Sequence, residues 1–282
     1  MKAFLGMGLL GSNFVKAMLK QGEQVQVWNR THAKASALES EGAKAFENVA
    51  DAVKGASTIH ITLKDDAAVD EVLAAAKPGL QAGAIIIDHT TTSAEGAKER
   101  TKSWAEAGFP YIHAPVFMGP VNALESSGNM LISGDQQLIE KVTPELSKLT
   151  GKLINLGDTV GKAAGIKLIG NLFIISITAG LADALTLANG LDIPLDDVTE
   201  LFTDWNPAAS LKGRLEKMVA EKFDAPTWEL AMARKDAGLM ISAAEKAGKH
   251  LMTIPEIAKS MDALIEEGHG DRDWMIIAKQ NS

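Results

Sequence analysis

Lys167 and Asn171, in the stretch GKAAGIKLIGN, lie four residues apart and share one face if the segment is helical. An amine among apolar neighbours snorkels to water, pairs with an acceptor, or performs chemistry. Partial burial would lower its pKa toward neutrality, where it can both give and take protons. Alone the pair supports no function, because a lysine near a helix start commonly reaches solvent. A second constellation stands at the other end of the chain. Gly6-Met7-Gly8-Leu9-Leu10-Gly11 is a GxGxxG motif that follows a short apolar run and opens a helical pattern. The first glycine permits a tight turn, the second lets backbone approach a pyrophosphate, and the third lets the helix pack closely on the strand. The helix start then offers unpaired N–H groups to phosphates. A purely structural turn is the alternative reading, and the surrounding strand-helix-strand pattern favours dinucleotide binding.

The run after that helix ends in Asn29-Arg30-Thr31, where an NAD enzyme usually carries an acidic residue for the ribose 2′-hydroxyl. A guanidinium matches the geometry of a 2′-phosphate, with asparagine and threonine donors beside it, so NADPH is expected over NADH. The alternative is that Arg30 is a solvated loop residue. The six histidines show no HxxxH-type spacing, and there is no cysteine, so no metal site is expected.

The elements that must position these residues follow from periodicity. Strands are predicted over Lys2–Gly6, Val25–Trp28, Ser57–Leu63, Ala84–Asp88, Tyr111–His113, Met130–Ser133 and Lys152–Asn155. Between them helices are predicted over residues 10–18, Ala33–Glu39 with Thr31 as N-cap, Glu47–Lys54, Asp65–Ala76, Ala94–Ala107 and Gln136–Leu149. That alternation predicts a parallel sheet with crossover helices. From Thr159 onward no strand is read. A helix over Lys162–Asn189 is apolar on nearly all sides and is expected to be buried. Shorter helices follow over Leu195–Thr203, Ala208–Glu221, Leu230–Ala247 and Ile254–Glu266. The fold class is therefore α/β, a Rossmann-type doubly wound domain over residues 1–157 followed by an all-helical domain over 158–282.

Composition bounds the function. With 282 residues and 46% hydrophobic side chains the chain can bury a substantial core. Twenty-eight basic against 36 acidic residues give a formal charge of −8, which argues against nonspecific nucleic-acid binding. The N-terminus runs straight into the glycine motif and is read as structure, and the absence of cysteine fits a reducing cytoplasm. Leu168–Ala188 is long enough to span a bilayer, but Asn171 and Asp183 interrupt it and no basic flank follows it; no membrane partner is expected. Trp205, in a turn between helices, reads as a core or interface anchor.

An N-terminal GxGxxG, a junction reading GxxxxxKxxxN and a later Lys235-Asp236 on a helix, in this order, resemble the β-hydroxyacid dehydrogenase family over essentially the whole chain. That family includes 3-hydroxyisobutyrate dehydrogenases and glyoxylate or succinic semialdehyde reductases and is related to 6-phosphogluconate dehydrogenase. The resemblance implies an NADPH-dependent oxidoreductase that moves hydride between the nicotinamide and a small aldehyde or keto acid, or the matching hydroxy acid. It makes Lys167 the general acid/base and Asn171 the residue that orients substrate. Lys235 would come over the nicotinamide with Asp236 beside it, and Leu63 and Thr91 would contact the cofactor. It also implies a homodimer or homotetramer.

One motif departs from the family pattern. The substrate loop usually reads DAPVSGG, and here it reads His113-Ala114-Pro115-Val116-Phe117-Met118-Gly119, with Phe117 for the serine and Met118 for the first glycine. Val116, Phe117, Met118 and Gly119 are the expected substrate-binding segment. The missing hydroxyl weakens the usual carboxylate anchor and admits a more apolar substrate; alternatively both side chains turn to the core and backbone N–H groups still hold an anion. Two rivals remain: an imine reductase, which usually replaces the lysine, and a non-catalytic NADPH-binding interaction module.

Overall fold

The computed structural model describes residues 1–281 and divides into two compact units, one over Met1–Asn171 and one from Leu172 onward. The first unit begins β1 (Lys2–Leu5), α1 (Leu9–Lys20), β2 (Val25–Trp28), α2 (His32–Ser36), β3 (Lys44–Phe46), α3 (Val49–Ala52) and β4 (Thr58–Ile61). It continues α4 (Asp66–Ala76), β5 (Ile85–Asp88), α5 (Ala94–Glu106), β6 (Tyr111–His113), β7 (Val116–Phe117), α6 (Pro120–Glu125), β8 (Asn129–Ile132), α7 (Gln136–Leu146) and β9 (Lys152–Asn155). Six strands form one parallel sheet in the order β3-β2-β1-β4-β5-β6. The order reverses between β1 and β4, and open α/β sheets bind ligands at such a switch point.

Both faces of this sheet are covered, as a parallel sheet requires. Phe4, Ile85 and Ile87 enter one buried cluster with Phe14 and Met18 of α1, while Leu5 and Ile86 enter the other with Leu73 of α4 and Trp104 of α5. Alternate residues of one strand thus feed opposite cores, and each fully buried Ile or Leu side chain stabilises by roughly 1.5–3 kcal/mol.

Three expectations change. β3, β7 and α6 are too short to show a period, and β7 pairs antiparallel with β8 while β8 pairs parallel with β9, so the last strands form a separate mixed sheet and not a continuation of the parallel one. The Ala33–Glu39 helix shrinks to α2 and a 3₁₀ turn at Glu39–Glu41 that ends on Gly42 at φ +105°. Thr31 holds the N-cap position of α2, yet its side chain makes no capping bond.

The second unit is helical: the later turns of α8 (Lys162–Gly190), then α9 (Leu195–Asp204), α10 (Leu211–Val219), α11 (Leu230–Lys246) and α12 (Ile254–Glu266). Leu230 and Ala233 of α11 and Met261 and Leu264 of α12 close a core with Phe223, Met275 and Ile276. Asp183 of α8 accepts hydrogen bonds from the Thr253 N–H (2.8 Å) and hydroxyl (2.6 Å), fastening the start of α12. Its burial alone would raise its pKa, and these bonds outweigh that and hold the carboxyl below the ordinary range.

The division after Asn171 keeps the first turns of α8 with the sheet unit, later than the expected boundary at 157. The Ala163 N–H donates to Ser133 Oγ at 3.0 Å, and Gly170 packs on Phe117, which explains that attachment. The expectation of a buried helix fails for this chain by itself. Ile169, Leu172, Ile174 and Ile175 of α8 are 61–69% exposed. Trp205 is likewise exposed, stacked on Phe202 with ring centroids 5.8 Å apart, so it is no core anchor here.

Candidate functional site

The glycine motif closes the turn from β1 to α1 in the manner its spacing predicts. Gly6 sits at φ +102°, and a Cβ there would lie 2.1 Å from the Thr62 carbonyl oxygen. A Cβ on Gly11 would lie 2.0 Å from the Gly6 oxygen, so the third glycine lets α1 rest on its own entry turn. Gly8 faces open space and is the N-cap of α1 without a side-chain cap, leaving the helix's first N–H groups directed outward. A cleft of about 710 Å³ opens here, lined by Gly6, Gly8, Leu9, Leu10, Asn29, Arg30, Thr31 and Leu63 among others. These features fit a dinucleotide: open glycine backbone for a pyrophosphate, a helix N-terminus behind it, and cations at one end.

Met7 and Gly11 do not line that cleft. The Met7 side chain is in the core and its N–H donates to Asn29 Oδ1 at 2.9 Å, while Asn29 Nδ2 donates to the Thr31 oxygen at 2.9 Å. Asn29 therefore ties the glycine turn to the end of β2, a positioning task that the expectation of a 2′-phosphate donor overlooked. Lys34, also unread in the sequence, lines the same cleft from α2, while Arg30 precedes that helix, and neither cation has an ion-pair partner among the described residues. A second cation shortly after Arg30 in the sequence was the available signal. Leu63 lines the cleft and its N–H donates to Thr90 Oγ1 at 3.0 Å; Thr91 is exposed and outside the lining.

Lys167 is 8% exposed. Its Nζ donates to Asn171 Oδ1 at 2.9 Å and lies 4.3 Å from the centre of the Phe117 ring, and burial pushes its pKa below 10.5. The i, i+4 spacing thus forms the pair that the sequence implied. Of the expected substrate segment only Phe117 faces this lysine. Val116 is buried in the core opposite Met130, and Met118 packs against the same cluster, because side chains alternate along a strand. The Gly119 N–H donates to Asn122 Oδ1 at 2.9 Å, and Asn122 Nδ2 donates to Ser127 Oγ at 3.0 Å. Lys235 lies on α11 of the second unit, paired with Asp236 at 2.9 Å.

Behind the loop runs a buried row: Ala114 O, His89, His60 and Glu145, with successive contacts of 2.8, 3.0 and 2.7 Å. Which ring nitrogen donates in each contact depends on the tautomers of the two imidazoles. Burial, and then the charge of His60, push the His89 pKa down to about 3. Burial would raise the Glu145 pKa; the hydrogen bond and charge of His60, then Lys2, outweigh it and hold the carboxyl at about 2. No group of three or more His, Asp or Glu side chains is arranged to hold a metal ion among the described residues.

The NAD binding domain of 6-phosphogluconate dehydrogenase matches residues 2–157, more than half of the chain. The chain belongs to the β-hydroxyacid dehydrogenase family. It is accordingly an NAD(P)-dependent oxidoreductase acting on CH–OH groups or the matching carbonyls. Within the family it is 26% identical over 281 residues to 2-(hydroxymethyl)glutarate dehydrogenase of Eubacterium barkeri, covering 98% of this chain and 93% of that one. It is 27% identical over 288 residues to 3-sulfolactaldehyde reductase of Escherichia coli, covering 99% and 94%. The imine reductase of Myxococcus stipitatus, solved with NADP+, superposes with a TM-score of 0.92 at 23% identity over 99% of each chain, a likeness of fold.

Proposed function

We propose that this family member is an NADPH-dependent reductase of a small aldehyde or keto acid, with Lys167 as general acid and Asn171 as the group that orients the substrate. The observation that carries the reading is a buried lysine, lowered in pKa, hydrogen-bonded to an asparagine one helical turn away. Bound NADPH would supply the hydride. Gly8 and the start of α1 would receive its pyrophosphate, and Arg30 with Lys34 and Thr31 would receive the 2′-phosphate. Lys167 would give its proton to the carbonyl oxygen as negative charge develops there, and take it back in the oxidation direction. Lys235 keeps the nicotinamide role that the family resemblance gives it. A dimer in a reducing cytosol completes the reading, with a second copy covering the exposed apolar face of α8.

The test is NADPH oxidation across glyoxylate, succinic semialdehyde, neutral aldehydes and cyclic imines, with Lys167→Ala beside the parent. Turnover should fall by at least ~100-fold in the variant while NADPH binding holds, and the parent's reduction rate should fall as pH rises through the Lys167 pKa, below 10.5. Near-normal kcat in the variant would overturn the assignment. A cyclic imine reduced faster than every carbonyl would instead favour imine reduction, the reading that the apolar Phe117 supports.

A further inference from the structure

Resting on the reading of Lys167 as proton donor, we infer that Phe117 sets the substrate class: the site takes neutral aldehydes and ketones with an apolar flank in preference to carboxylates. Most of the donor capacity of Lys167 is already committed. One N–H goes to Asn171 Oδ1 at 2.9 Å, and the ring of Phe117 covers another side of the ammonium at 4.3 Å. An ammonium has three donors, so one remains, which serves a single carbonyl oxygen. A carboxylate brings two oxygens and a full charge that need further donors.

The loop's side chains do not supply them. Phe117 has no hydroxyl, Val116 and Met118 turn into the core, and the Gly119 N–H is spent on Asn122 Oδ1. The ring is also held in place. A Cβ on Gly170 would lie 2.3 Å from Phe117 Cζ, so the glycine is the seat on which the ring rests while it covers the lysine. A net charge of −8 opposes an anion further.

The experiment compares butanal with succinic semialdehyde, which differ by a methyl against a carboxylate at the far end. In parallel, butanamide and butanoate are titrated into the NADPH complex and followed by NADPH fluorescence, a readout that needs no turnover. The parent should favour butanal in kcat/KM and butanamide in binding, each by roughly tenfold. Phe117→Ser, which restores a hydroxyl and uncovers the ammonium, should reverse both preferences. Asn122→Ala, which frees the Gly119 N–H, should strengthen butanoate binding without touching Phe117, and it decides the matter if the serine variant does not fold. A parent that prefers succinic semialdehyde and butanoate, or variants that leave both ratios unchanged, would overturn the inference. A parent that turns over neither aldehyde but still discriminates the amide from the acid would sink the catalytic reading and leave this one standing.

Discussion

Replacing Glu145 with glutamine removes one charge from the buried row and little else, which makes its cost calculable. The carboxyl titrates at about 2 in the folded chain against an ordinary 4.5. At about 1.4 kcal/mol per tenfold, that depression corresponds to roughly 3 kcal/mol of stability. The contribution is fully present above pH 4.5, where the carboxylate is ionised in both states. As pH falls from 4.5 toward 2 the unfolded chain binds a proton that the folded chain refuses, so the advantage drains away. Urea unfolding of the parent and Glu145→Gln, followed by circular dichroism from pH 7 to pH 2.5, isolates this term, because every other acid group contributes equally to both proteins. The curves should lie roughly 3 kcal/mol apart at pH 7 and converge toward pH 2. A gap that stays constant with pH, or no gap at pH 7, would refute the lowered Glu145 carboxyl.

Two further outcomes are expected. Arg30→Asp should weaken NADPH binding by at least ~10-fold and NADH binding far less, measured by cofactor fluorescence; equal losses would contradict the 2′-phosphate assignment. Light scattering should give a mass near twice the 29.9 kDa of one chain, and Ile174→Glu on the exposed face of α8 should return it toward one; a parent that stays at one chain mass would contradict the dimer.

The parts of this structure that were legible beforehand are those written in local order. GxGxxG, the end of β2 and the Lys167–Asn171 spacing are contiguous or nearly so, and α12 begins and ends where its pattern does. What escaped depends on contacts between distant segments. His89 and Glu145 lie 29 and 85 residues beyond His60, and no spacing rule joins them. The direction of Phe117 could not be read because β7 is two residues long and its register on β8 decides which side chain turns to Lys167. The exposure of α8 escaped for another reason: an apolar helix looks the same in sequence whether its own chain or another molecule covers it.

The contact between Gly170 and Phe117 also couples the two positions. With alanine at 170, a methyl group would occupy the present space of the ring, and the ring would have to swing from its place over Lys167. Glycine inside a helix costs about 1 kcal/mol relative to alanine, so α8 gives up helix stability at the point where the aromatic face must stay over the ammonium. A change at 170 therefore reaches the surroundings of the lysine without touching the lysine itself.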